Sequence, residues 1–327
     1  LKISFWVLAF IIALTIFGGL CWLDMRPGPT IQSAATTGNL KLIRQQLVAG
    51  ADINALDREG FTPLMRAVQA GHLATMDLLL ASGADVNKAG QKGATALHIA
   101  AMQNDPRPAE RLIADGAALR PLDADRASPL CLAVQANSPV VEKLVTAGAL
   151  TGDISCAGEN YLFCAARAGN LTMLKILIER GTDLNIRAAN RACVLHYAVT
   201  RDHKEVVHLL LDQGLSVDSQ DRYGLTPLHY AVRGNQLEMV KLLLEHNADT
   251  ELRGNQSRTP LLMAAQLGLT EVFEALTRAG ADINAKLPSG ETAAGLASAN
   301  RHLGIIAFLA DYQRELKERR QNSAVQY

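Results

Sequence analysis

The chain is poor in aromatic residues, has no surplus of either charge and has no closely paired cysteines. Phe, Trp and Tyr make up 5% of its 327 residues, so the 49% apolar content rests on Ala, Leu, Val and Ile. Chains rich in Ala and Leu favour helices that pack closely. Lys+Arg and Asp+Glu both count 32, so the molecule as a whole exerts no pull on nucleic acid or an anionic bilayer. No two of Cys21, Cys131, Cys156, Cys164 and Cys193 form a CxxC, and no histidine spacing accompanies them, which argues against a zinc site. The last four are either buried small residues or include a disulfide, if the chain lives in an oxidising compartment. No glycine-rich phosphate loop follows a strand pattern. An enzyme has no motif to stand on here, and no cofactor is expected.

What is present begins with an uncharged run, Ile3–Leu23. As a helix it would be about 31 Å long, which matches a bilayer core. A cleaved signal has a shorter apolar core that ends in small residues, whereas this run ends Leu20-Cys21-Trp22-Leu23. Leu20 also stands where a lipoprotein signal places a small residue before its cysteine. Residues 1–25 are therefore expected to be a retained transmembrane anchor, with Trp6 and Trp22 at its two interfaces. Lys2 lies before the run, and Asp24 offsets Arg26 after it. The positive-inside bias then keeps the N-terminus in the cytoplasm and places the rest outside. Residues 26–30, Arg-Pro-Gly-Pro-Thr, form a short linker that stops the helix and gives little reach.

Internal periodicity organises the remainder. Thr62-Pro63-Leu64, Thr95-Ala96-Leu97-His98, Ser128-Pro129-Leu130, Asn160, Cys193, Thr226-Pro227-Leu228-His229, Thr259-Pro260-Leu261 and Thr292 follow one another at steps of 33 residues, with a single step of 32 before Asn160. Gly50, Gly83, Gly116, Gly148, Gly181, Gly214, Asn247 and Gly280 keep the same phase. Thr or Ser caps a helix start, Pro at the next position has no amide to leave unpaired, and Gly suits the left-handed residue after a helix. A period of 33 with T-P-L-H is the ankyrin signature. The chain resembles the ankyrin-repeat family over residues 31–312.

That resemblance implies an all-α ankyrin-repeat solenoid. Its units would be helix-turn-helix pairs with β-hairpin fingers, about nine including two atypical ends, and a single transmembrane helix would precede them. Residues 313–327 form a charged C-terminal tail. Asp105-Pro106-Arg107-Pro108 departs from the usual turn, and Leu150–Asn160 has lost the Asp-x-x-Gly-x-Thr pattern, so a distorted finger is expected there. His98, His196 and His229 recur at one repeat position. The family assigns this histidine to backbone bonding between repeats rather than to metal or catalysis. Two glycosylation-like triplets, at Asn170 and Asn255, are of the kind that arises by chance.

In this family the concave face of inner helices and fingers carries partner recognition. Its non-consensus positions in repeats five to eight are rich in arginine: Arg167, Arg187, Arg191, Arg201, Arg222, Arg233 and Arg258, with Tyr223 among them. Arginine favours bidentate carboxylate contacts and stacking, so the expected partner is another protein with an acidic surface, near the membrane. No nucleic acid or small-molecule substrate is expected. The reading is a membrane-tethered scaffold or accessory subunit, in the bacterial inner membrane with its repeats in the periplasm. The alternative is an immunity or inhibitor protein that covers a toxin or enzyme.

Overall fold

The computed structural model describes residues 30–150, 155–156 and 159–325. The expected anchor, residues 3–23, lies outside them. No helix among the described residues is long and apolar enough to cross a membrane. Packing divides the chain into two compact units, Leu1–Asp85 and Val86–Tyr327.

The described part of the first unit holds two helix pairs: α1 (Ile31–Thr36) with α2 (Leu40–Val48), and α3 (Pro63–Gln69) with α4 (Leu73–Ala81). The first helix of each pair here starts at a capping threonine, Thr30 for α1 and Thr62 for α3. Thr62 Oγ1 accepts the Met65 amide at 3.1 Å, and Pro63 follows it. α1 packs on α3 through Ala34, Ala35 and Ala67, all fully buried.

The described part of the second unit contains seven pairs. Their first helices are α5 (Ala96–Ala101), α7 (Pro129–Gln135), α9 (Tyr161–Ala168), α11 (Val194–Thr200), α13 (Pro227–Arg233), α15 (Pro260–Leu267) and α17 (Ala293–Ala299). Their partners are α6 (Arg107–Ala114), α8 (Val140–Thr146), α10 (Leu171–Glu179), α12 (Lys204–Asp212), α14 (Leu237–Glu245), α16 (Thr270–Arg278) and α18 (Leu303–Val325). The charged stretch after residue 312 continues α18 as helix to Val325. Successive first helices pack on one another because Ala100, Ala133, Ala165, Ala198, Ala231, Ala264 and Ala297 occupy the contact and are fully buried. Leu112, Leu144, Leu177, Leu210, Leu243 and Leu276 fill the second layer at the same period. Burying one such leucine contributes about 1.5–3 kcal/mol.

The phase seen in the sequence is a backbone requirement. The glycine series from Gly50 to Gly280 has positive φ throughout, and Asn247 takes the same conformation at φ 60°. Asn is the usual substitute for Gly there, because its side chain bonds locally.

The expected β-hairpin fingers are corrected. Among the described residues one short antiparallel ladder exists, β1 (Ser155–Cys156) with β2 (Glu159–Asn160), plus an isolated bridge between Lys286 and Thr292. The fingers at Asp57, Asp123 and Asp221 are turns instead. In each, the aspartate Oδ1 accepts the amides two and four residues ahead, as with Glu59 and Phe61 for Asp57 and with Tyr223 and Leu225 for Asp221. These amides are thereby withdrawn from any cross-strand pairing. The single ladder lies where the aspartate pattern is lost. The rest of that distorted finger, residues 151–154 and 157–158, lies outside the described residues.

Candidate protein-binding face

The three repeated histidines are structural. Their Nε2–H groups donate to the carbonyls of Ala127, Leu225 and Arg258, each 29 residues ahead, at 3.2, 2.9 and 3.0 Å. A carbonyl can only accept, so Nδ1 is the unprotonated nitrogen. Nδ1 accepts the N-cap amides of Thr95, Cys193 and Thr226 at 3.0, 3.2 and 3.2 Å, together with the Thr hydroxyls at 2.9 Å. At Cys193 the thiol takes the hydroxyl's place, 3.1 Å from Nδ1. Burial pushes His98 and His229 below the usual imidazole value.

Among the described side chains, two further cysteines are equally occupied by the fold. Cys164 is buried and its pKa is pushed up to about 12, chiefly by burial and then by the Glu159 carboxylate beside it. It stays protonated at neutral pH and is no nucleophile. Cys131 is disulfide-bonded, and its partner sulfur lies outside the described side chains. Asn170 is buried. Its Nδ2 donates to the Val134 carbonyl and its Oδ1 caps the Met173 amide, so it is no glycan acceptor in the folded chain.

The arginines singled out in the sequence lie on the first helices and fingers of the second unit. In α9, Arg167 forms an ion pair with Glu159 at 2.7 Å. The pair lies against the Cys164 sulfur, so Arg167 is committed to its own repeat. Arg187 donates to Ser219 Oγ in the next finger at 3.3 Å. Arg191 is exposed at a finger tip with φ 61°. Arg222 in the following finger stacks over the Tyr223 ring at 4.6 Å and also donates to its hydroxyl, with Tyr223 49% exposed. The Arg222 amide is held by the Asn190 carbonyl at 2.9 Å, which ties neighbouring fingers together. Arg201 ends α11, and Arg233 ends α13 over the Tyr230 ring at 4.5 Å. Arg258 is half-buried, and its Nε has no acceptor among the described residues. Among the described residues, Arg191, Arg201, Arg222 and Arg233 have no carboxylate within ion-pairing distance.

Two aromatic residues of this face are missing from the sequence-based set. Tyr197 packs on Phe163 with ring centroids 4.8 Å apart. Tyr230 donates its hydroxyl to Asp221 at 2.9 Å and meets the His196 ring edge-on at 5.1 Å. Both follow the repeated histidine directly. Reading the residue after His196 and His229 as outward-facing would have found them.

A repeated helix pair with tight connecting turns, a shared alanine seam and an exposed face of rings and guanidinium groups is the architecture of a protein–protein interaction module. The family described as Ankyrin repeats (3 copies) matches residues 31–120, 97–188, 162–254 and 195–286. The chain belongs to the ankyrin-repeat family, whose members are typically non-enzymatic protein–protein interaction modules. No curated protein matches the chain significantly.

Proposed function

We propose that this chain is a membrane-tethered interaction module that holds another protein close to the bilayer, as a scaffold or accessory subunit of a membrane-associated complex. The observation that carries the reading is a set of exposed arginines, Arg191, Arg201, Arg222 and Arg233, on the first helices and fingers, which have no carboxylate partner among the described residues. Such groups favour an acidic protein surface. The uncharged run Ile3–Leu23 and the short linker after it support the tether. A tether raises the effective concentration of partners at the same membrane. The disulfide at Cys131 supports an oxidising location, in keeping with repeats on the periplasmic side of a bacterial inner membrane.

The test is affinity capture of the full chain from detergent-solubilised membranes, with mass spectrometry of what co-purifies. A stoichiometric partner is expected, and Arg191→Glu, Arg222→Glu and Arg233→Glu together should remove it. Unchanged recovery with the triple variant would sink the arginine face. Alkylation of Cys131 in intact cells without reductant would count against the exported location.

A further inference from the structure

Tyr197, Tyr230 and Met263 occupy the same place, the fourth residue, in three consecutive first helices, α11, α13 and α15. All three are half-exposed. The row is closed before Tyr197, where the equivalent Cys164 is buried beneath the Glu159–Arg167 pair. It is closed after Met263, where Leu296 is buried. The row is therefore three repeats long. Its rings are held in place before any ligand arrives, Tyr197 by Phe163 and Tyr230 by Asp221, His196 and Arg233. Arg201 and Arg233 stand at the ends of the same helices, and Arg222 at the finger beside them, all exposed.

Neighbouring packed helices lie about 8–10 Å apart. A chain in the polyproline II conformation advances about 3.1 Å per residue and turns every third side chain to the same face, so about three residues of a crossing peptide span one repeat. We propose that this row receives an extended acidic segment of another protein, with an apolar residue at every third position. The apolar side chains seat on Tyr197, Tyr230 and Met263, and the carboxylates between them meet Arg201, Arg222 and Arg233. The inference rests on the binding-module reading and gives its partner a chemistry and a period.

Charge selects the source of the segment. The chain's own C-terminal stretch, residues 311–327, carries four cations against three acids and is not complementary to this rim. A nucleic acid would need a continuous basic track to neutralise its regularly spaced phosphates. Here the cations are interrupted by apolar rings, and Asp221 and Asp202 lie among them.

The experiment uses the full chain in detergent and fluorescence anisotropy with four labelled probes. These are a repeating Glu-Glu-Leu peptide, a peptide of the same composition with its leucines in one block, a repeating Gln-Gln-Leu peptide, and an oligothymidylate of equal length. The Glu-Glu-Leu peptide should bind at least tenfold more tightly than the other three. Arg201→Glu with Arg233→Glu should weaken it at least tenfold. Tyr197→Ala should weaken it severalfold without changing the salt dependence of binding. Circular dichroism confirms that each variant is folded, and the exposed arginine pair serves if Tyr197→Ala is not. Equal binding of the blocked peptide overturns the period, equal binding of the Gln peptide overturns the acidic partner, and tighter binding of the oligothymidylate assigns the row to nucleic acid. No binding of the Glu-Glu-Leu peptide overturns the inference. If a cellular partner is captured equally by wild type and the Arg201/Arg233 variant, the module reading stands and this inference falls.

Discussion

His203 packs its imidazole against Gly169, 34 residues earlier, so closely that a Cβ at position 169 would fall 2.7 Å from Nδ1. The same ring donates from Nε2 to the Arg167 carbonyl at 3.0 Å, satisfying an orphan carbonyl at the end of α9. Gly38 with His72 and Gly268 with His302 repeat the arrangement. Where the left-handed residue is Asp202 or Asn235, the residue 34 positions later is Gln236 or Leu269, not histidine. Each of these three histidines thus packs on a glycine of the preceding repeat, although Gly71, also left-handed, is followed 34 positions later by Asp105 and meets no such ring.

Gly169→Ala should lower stability by about 1–3 kcal/mol from the left-handed φ of 72° alone, with a further loss from the clash. Adding His203→Ala should recover the clash but not the backbone strain, so the double variant should be less unstable than additivity of the two singles requires. Urea midpoints by circular dichroism measure this. Additive losses would show that the two residues do not act as a pair.

Asp221 should matter more than the tyrosine it holds. It is 4% exposed and accepts from two amides and the Tyr230 hydroxyl. Asp221→Ala leaves buried donors unpaired at about 1–3 kcal/mol each, whereas Tyr230→Phe removes one bond, worth about 1 kcal/mol. Denaturation of the two variants should rank them in that order.

The stability contributed by His98 and His229 should fall as the solution is acidified through the usual histidine range. His98 and His229 are held below about 6.5, their unfolded value. Between the lowered folded values and 6.5 the unfolded chain binds more protons. The stability that these two groups contribute is thus complete above 6.5 and is lost as pH falls below it. His98→Gln and His229→Gln should flatten the profile over that window when urea midpoints are compared from pH 7.5 to 5. An unchanged slope would assign the acid sensitivity to other groups.

Cys164 should resist alkylation. With its pKa pushed up to about 12 it holds almost no thiolate at pH 8, and its side chain is buried. Iodoacetamide labelling followed by peptide mass spectrometry should modify it only after denaturant is added. Fast labelling in the native protein would show that the Glu159–Arg167 pair opens readily.

Much of the fold was legible because its markers are local. A capping Thr followed by Pro, and a Gly in phase with it, are dictated by the backbone of one helix end, so they survive in a linear string. The register showed that His98, His196 and His229 share one repeat position, and their role came from what the family resemblance implies. The binding face was less legible. Arg167 and Arg233 stand 66 residues apart at one repeat position, yet the first is held by Glu159 and the second lies over Tyr230. Nothing at those positions taken singly distinguishes them, because the difference lies in what the finger places opposite.

The amino-acid sequence by itself determined the repeat: its period, its helix starts, its left-handed turns and the alanine seam, all of which depend on residues a few positions apart. Tertiary structure alone decided that histidine packs on the preceding repeat's glycine, and which arginines are left without a carboxylate among the described residues. The first joins residues 34 positions apart, as with Gly169 and His203, and the second depends on what a finger places opposite a helix end, so both are set by packing rather than by spacing.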